Sequence, residues 1–465
     1  MRRGHFRILA TLTLLALATW PRSASAYSLL THEQLIDLTW KDSIVPLLLS
    51  RYPNLTPAQL DRARAYAYGG CVIQDIGYYP FGDRSFSNLT HYVRSGDFVV
   101  NLFRNAHDAN ELAFAIGALS HYIGDSIGHS EATNLAVPIE FPKLRAKYGS
   151  SVSYGEGKHQ HVQTEFAFDI NEIAHHRVAP LRFLRHIGLR VSMRQLALAF
   201  YQTYGITENF GFRRGRIINV SDYRFAARTF IPRIAYALTL LHRSNEPPDP
   251  TTPAVIELEK EAAAVAQENN WQAYRHKAGI ETHLLAGLIF ILPKIGPLSL
   301  VNIKGPTQKT EEDYAQSVAV ATTDLRLVLA AFTPVNARST APPSPLTSLV
   351  QNGPSALILR DPRHPLPDRD LDTGHVVQPG GYSLTDFTYA SLLHKLVAKP
   401  DRPIPPGVKH DVEAYYSNLN LPIATKKDPA RWSEVLADLK TLAGMSTSIE
   451  PQPYPTYGDD AAASE

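Results

Sequence analysis

Histidine and carboxylate recur at four-residue steps in the middle of this 465-residue chain. His121, Asp125 and His129 form one run, and His161 and Glu165 form a second. A four-residue step returns a side chain to the same face of an α-helix, so each run lines up as a stripe. Two stripes of imidazole and carboxylate must converge on a shared interior point to be useful. The pattern therefore predicts a helical protein that holds a metal site between its helices.

The apolar residues of the same segments support this reading. Leu112, Ile116, Leu119, Ile123 and Ile127 form a stripe about 200° from the histidines, at ~100° per residue. Gly117, Gly124 and Gly128 accompany the ligands, although each costs a helix ~1 kcal/mol. Small residues there predict close approach of another element, hence a helix buried on both sides. In the second run, expected to be helical over 158–175, Val162, Phe166, Ile170 and Ile173 mark the core face. His159 and Asp169 are rivals there to the pair His161 and Glu165. Imidazole-rich ligation without cysteine favours zinc over calcium. Asp125, between two histidines, has two oxygens suited to bridging metals ~3.5–4 Å apart, an arrangement used for phosphate-ester hydrolysis.

The rest of the chain sets the frame. Arg2, Arg3 and Arg7, an apolar stretch over 8–20 and Ala24-Ser25-Ala26 read as a signal peptide, residues 1–26. Cleavage would leave Tyr27 first in a secreted or periplasmic protein. Helical runs are expected over 35–49, with Thr31 and Gln34 as a capping box, and over 57–68, 108–130, 193–205 and 222–243. The expected divisions are a catalytic domain over 27–245, a helical extension over 246–335, a proline-rich linker over 336–380 and a C-terminal helical region over 381–465. Leu284 to Leu300 is apolar but interrupted by Pro293 and Pro297. It falls short of the ~20 residues of a membrane span, so no transmembrane helix is expected in the mature chain. Net charge is +2, which demands no polyanionic partner, and the single cysteine, Cys71, allows no internal disulfide.

In order, these residues resemble the zinc-dependent phospholipases C of bacteria and their relatives, the single-strand-specific nucleases of fungi and plants. That family pattern runs from the mature N-terminal residue through an early histidine, an aspartate, a histidine, His-x-x-x-Asp, a later histidine and a last His-x-x-x-Glu or His-x-x-x-Asp pair. Tyr27, His32, Asp75, His91, His121, Asp125, His129, His161 and Glu165 occupy these places. The chain departs from the family in three ways. Tyrosine stands where tryptophan is usual, four residues rather than six separate Asp125 from His129, and the interval from His91 to His121 is short.

The resemblance implies an all-α, multi-helical zinc-dependent phospholipase C/nuclease-like domain with a mostly helical, proline-rich C-terminal extension. It implies three Zn2+ ions. Asp75, His91, His121 and Asp125 would hold one. His129, with His159 as the rival, would join His161 and Glu165 to hold a second. His32, the other oxygen of Asp125 and the amino and carbonyl groups of Tyr27 would hold the third. The implied reaction is phosphodiester hydrolysis by metal-activated water, with Asp75 as the catalytic carboxylate. A phospholipid is the first expected substrate, met in transient contact with a membrane surface; no specific protein partner is inferable. Single-strand-specific nuclease or 3'-nucleotidase activity is the alternative, and a non-catalytic zinc or lipid-binding protein the second alternative. Tyr78, Tyr79 and Phe81 follow Asp75 as candidates to line a substrate groove.

Overall fold

The computed structural model describes residues 28–78, 82–207, 210, 224–242, 252–275, 277–292, 303, 305–338 and 364–448. Within them the fold is all-α, running from helix Leu29–Thr39 to helix Pro429–Gly444. The β pairing among the described residues consists of two isolated bridges, Arg369 with Val376 and Ile404 with Thr447.

Helix Ala109–Gly128 is the hub. Asp108 caps it, its side chain accepting the Glu111 N–H at 2.8 Å. Every residue from Ala113 to Gly128 is buried. Helices Leu29–Thr39, Pro57–Gly70, Ser95–Arg104 and Gln308–Phe332 pack around it. The closest neighbour is Pro57–Gly70, where the two backbones touch. A Cβ added to Gly117 would stand 2.2 Å from the Ala67 carbonyl oxygen, and one on Gly70 would stand 2.1 Å from that of Phe114. The helical cost of Gly117 is thus offset by a contact that no larger residue allows.

The first helix begins at Leu29, ahead of the expected capping box, because its cap comes from another helix. Asp169 of helix Tyr154–Ala174 accepts the N–H groups of Leu30 and Thr31, each at 3.1 Å, and the Thr31 hydroxyl at 2.9 Å. Gln34 donates to Glu172 at 2.8 Å instead of closing a box with Thr31. A buried carboxylate that satisfies two orphan helix N–H groups outweighs the local signal. This cap fixes the first turn, and with it His32. Two turns further, Asp37 accepts from the buried Arg64 guanidinium and from the Tyr68 hydroxyl, locking the first helix to Pro57–Gly70.

Gln308–Phe332 is long and apolar enough to cross a membrane, but more than half of its most apolar stretch is buried inside the molecule. Near its start, Glu311 accepts from Arg177 at 2.7 Å and from Asn171 at 2.9 Å. It serves here as a core helix.

Further along, residues 364–382 form an irregular strap across the hub before helix Ser383–Val397. Tyr122 donates to the Pro367 carbonyl at 2.6 Å, and Ser95 to that of Arg369 at 2.6 Å. The Leu371 N–H donates to the His91 carbonyl at 3.0 Å. Gly374 closes a turn at φ 71°, and a Cβ there would lie 2.2 Å from the Ser126 carbonyl oxygen. Both the positive φ and the tight seat on the hub helix require glycine.

Candidate metal centre

Four side chains from three elements meet in the first cluster. Asp75 lies in the short 3-10 turn Gln74–Gly77, His91 near the end of helix Arg84–Tyr92, and His121 and Asp125 on the hub. All four are 0 % exposed. His91 Nε2 lies 3.2 Å from Asp75 Oδ1 and 3.3 Å from Asp125 Oδ2. His121 Nε2 lies 3.2 Å from Asp125 Oδ2, 3.5 Å from His91 Nε2 and 3.9 Å from Asp75 Oδ1. A tetrahedron with zinc–ligand bonds of about 2.0–2.1 Å has edges of about 3.3–3.4 Å. The five separations scatter around that value.

The imidazoles are also set in the ligating tautomer. His91 Nδ1 lies 2.7 Å from the Ser87 carbonyl, and His121 Nδ1 lies 2.9 Å from that of Cys71. A carbonyl only accepts, so each Nδ1 carries a proton and each Nε2 is the nitrogen that faces the carboxylates, where a metal would replace a proton. The two oxygens of Asp125 serve different histidines. Oδ2 faces His91 and His121, whereas Oδ1 lies 3.2 Å from His32 Nε2. His32 stacks on His121 with ring centroids 4.2 Å apart.

Charge follows from this crowding. Burial would raise the Asp125 carboxyl, but His121, His32 and His91 hold it well below its ordinary range. Burial opposes charge on His91 as well, yet Asp125 and Asp75 push its pKa up to about 10. Burial lowers the pKa of His32, and so does the neighbouring His121. Two carboxylates among three imidazoles therefore make a strongly cation-seeking interior.

The second cluster is His129, His161 and Glu165. His129 opens a π-helical turn, His129–Thr133, in which the Asn134 N–H reaches back five residues to the His129 carbonyl. That turn carries Asn134 to His161. The Asn134 amide donates to the Asp372 carbonyl at 2.8 Å, which leaves its oxygen facing His161 Nε2 at 2.7 Å. The His161 proton is thereby set on Nε2, and the lone-pair nitrogen, Nδ1, faces Glu165 Oε1 at 2.9 Å. Burial lifts the Glu165 carboxyl well above its usual range, with Asp125, Asp75 and Asp372 adding to the push. His129 is 0 % exposed and neither of its ring nitrogens has a hydrogen-bond partner. Burial lowers its pKa to about 3, so it is the neutral, ligating form. A buried imidazole with both nitrogens unsatisfied is costly unless a cation binds it.

Of the expected site residues, the structure thus gathers Asp75, His91, His121 and Asp125 in one group, His129, His161 and Glu165 in another, and sets His32 on the free side of Asp125. Tyr27 lies outside the described residues. Of the rivals, His159 is absent from both clusters, and Asp169 is the cap of the first helix. Tyr78 is buried, its ring 5.2 Å from that of His91; Tyr79 and Phe81 lie outside the described residues.

Sequence reasoning missed Asp372. Its Oδ2 accepts from Tyr92 at 2.9 Å and from Tyr382 at 2.7 Å, while its Oδ1 faces His129 Nε2 at 3.8 Å. Burial and the neighbouring Asp370 raise its pKa to about 7. The available signal was three aspartates at alternate positions, Asp368, Asp370 and Asp372, inside a proline-rich stretch. A third group, Asp97, His364 and Asp411, already holds a cation of its own. The Arg94 guanidinium lies 2.5 Å from Asp97 and 2.7 Å from Asp411.

Comparison with known proteins gives one match: residues 31–211 fit the family model described as zinc dependent phospholipase C. No curated protein and no solved structure matches the chain.

Proposed function

Through residues 31–211 the chain belongs to the zinc-dependent phospholipase C family, and from that premise we propose that it is an exported phospholipase C that hydrolyses the phosphodiester of a phospholipid headgroup. The observation that carries the reading is the first cluster. Three nitrogen and oxygen edges at 3.2–3.3 Å, with both Nδ1 atoms engaged by carbonyls, suit a tetrahedral zinc.

Bound zinc would supply Lewis acidity, offsetting charge on the phosphate oxygens and bringing the pKa of a coordinated water to ~7. The protein's part is positioning and charge. His91 and His121 present Nε2 atoms on rings fixed by the Ser87 and Cys71 carbonyls. Asp125 neutralises both sides of the centre, with one oxygen toward His91 and His121 and the other toward His32. Asp75, at the edge of the same cluster, is the carboxylate we assign to orient the attacking water and take its proton. The complete centre in this reading holds three zinc ions, the third by His32, Asp125 and the terminal amine and carbonyl of Tyr27. It forms only once the signal peptide is cleaved after Ala26. N-terminal sequencing of the exported protein should therefore begin at Tyr27.

The deciding experiment is a paired assay of one purified sample on phosphatidylcholine vesicles and on single-stranded DNA, with and without a chelator, plus metal analysis. Release of phosphocholine that the chelator abolishes, with close to three zincs per chain, is the expected result. Cleavage of DNA alone would move the assignment to a nuclease. A metal-free, inactive protein would overturn it.

A further inference from the structure

Helix Ile280–Ile291 is apolar on both of its faces, and one of them is bare. The helix packs on Ile231–His242 and buries Ala286 and Ile289. On the other side, Ile280, Leu284, Gly287 and Ile291 recur at steps of four, three and four, which sets them in one stripe. Ile280 is 79 % exposed, Leu284 47 % and Ile291 80 %. A Cβ on Gly287 would meet no atom within 4 Å. A helix that is apolar all round is ordinarily buried all round, so the open stripe marks a contact surface.

The surroundings of the stripe are basic. Helix Leu181–Ile187 carries Arg185 and the exposed Arg182. Arg228 donates to the Arg185 carbonyl at 3.1 Å. Arg233 lies on the helix against which Ile280–Ile291 packs, and Lys277 is exposed just ahead of the stripe. Burial lowers the pKa of Arg185, and so do Arg233, Arg228 and Arg182; Glu281, on the apolar helix, acts the other way. The guanidinium groups are therefore near one another and near the start of that helix, and Arg185 Nη2 has no hydrogen-bond partner.

Length limits what the helix can do. Its 12 residues span about 18 Å, short of the ~30 Å hydrocarbon core of a bilayer. It can lie on a membrane and cannot cross one. An apolar stripe flanked by cations fits the boundary between acyl chains and anionic headgroups. A second copy of the chain would bring the same arginines to the same patch and meet repulsion.

We propose that Ile280, Leu284 and Ile291 dock the protein on an anionic lipid surface, with Arg182 and Lys277 toward the headgroups. This element lies outside residues 31–211, the stretch that matches the family. The proposal deepens the phospholipase reading, on which it rests for the substrate alone, by naming the face that meets the membrane.

The test is brief co-sedimentation of the zinc-loaded full-length protein with vesicles of phosphatidylcholine, with and without phosphatidylglycerol. Release of phosphocholine from a monomeric short-chain phosphatidylcholine is measured beside it. Binding to the anionic vesicles should be about 10-fold tighter or more, since each basic residue near the surface adds ~1 kcal/mol, and it should weaken with salt. Leu284→Asp/Ile291→Asp should weaken it about 10-fold or more. Val335→Asp, at another exposed apolar position, should bind as wild type, and all variants should hydrolyse the monomeric ester alike. Leu284→Cys carrying a polarity-sensitive dye serves if the aspartate variant folds poorly. Cys71 is buried, so the dye marks position 284, and its emission should shift to the blue on anionic vesicles. Wild-type binding by Leu284→Asp/Ile291→Asp, or dye emission indifferent to vesicles, would overturn this proposal and leave the phospholipase reading intact. Dimers that the aspartate variant dissociates, in a wild type that ignores vesicles, would overturn it in favour of a second copy. Vesicle binding without hydrolysis of any phosphatidylcholine would overturn the phospholipase reading alone.

Discussion

The backbone N–H of Leu371 donates to the carbonyl oxygen of His91 at 3.0 Å. The contact joins a proline-rich stretch late in the chain to the ligand cluster near its start. It also seats the next residue, Asp372, beside Tyr92, which follows His91 and donates to its carboxylate. The late region is therefore part of the wall of the centre.

Asp125→Asn should cost the protein both metal and activity. The two oxygens of the carboxylate lie 3.2–3.3 Å from three imidazoles, of His32, His91 and His121. An amide keeps the shape but loses the charge, and turns a donor toward one of the ring nitrogens. Zinc content should fall and hydrolysis drop by about 100-fold or more, since even outer-shell changes cost 10–100-fold. Wild-type zinc content and turnover would refute a bridging role.

Gly117→Ala tests the backbone contact at the hub. The new methyl would overlap the Ala67 carbonyl oxygen at 2.2 Å and the Cys71 nitrogen at 2.7 Å. Both are backbone atoms, so helix Pro57–Gly70 has to move. A loss of about 1–3 kcal/mol is expected in denaturant melts. Cys71 also carries the carbonyl that orients His121, so zinc affinity should fall with stability. An unchanged midpoint would mean that the helices yield freely.

Arg64→Leu should destabilise by about 3–5 kcal/mol, because it strands the Asp37 carboxylate in the interior. Both partners are almost fully buried. The double variant Arg64→Leu/Asp37→Asn should recover part of the loss, since it removes the stranded charge. Equal stability of the single and double variants would show that the charge is not what matters. Differential scanning calorimetry distinguishes these cases.

Attachment of the strap should weaken as the solution becomes alkaline. The His364 imidazole lies 3.0 Å from Asp97 and 3.6 Å from Asp368. The hydrogen bond to Asp97 leads in raising its pKa from 6.5 to about 9. A raised folded-state pKa means that the folded protein holds the proton more tightly. The contribution is complete below about pH 6.5 and is lost as pH rises through about 9. Burial raises Asp368 to about 7, which works in the same direction over a lower range. Limited proteolysis near residue 364 should accelerate between pH 7 and 9, and His364→Gln should flatten that dependence. A wild-type cleavage rate independent of pH would count against the clamp.

The readable part of the site is the part that local geometry dictates. His121 and Asp125 share one helix, as do His161 and Glu165, so a fixed four-residue step reveals each pair without any tertiary knowledge. The helix boundaries around them follow from caps such as Asp108. The start of the first helix did not follow, because Asp169 reaches it from a residue 139 positions away. Asp372 was hidden for the same reason, in a stretch whose prolines suggest only irregular chain. The π turn at His129–Thr133, which aims Asn134 at His161, has no compositional mark, since it depends on which carbonyl the Asn134 N–H selects.

Tyr92 and Asp372 touch although they lie 280 positions apart, which gives the centre a history as well as a shape. At 5–20 residues per second, the ribosome delivers Asp372 roughly 14–56 s after Tyr92. During that interval the helices bearing His91, His121 and His129 exist without their cover. Until then those helices lack the strap's contacts at His91 and Tyr92. The order of synthesis thus sets the order in which the contacts of the centre can form.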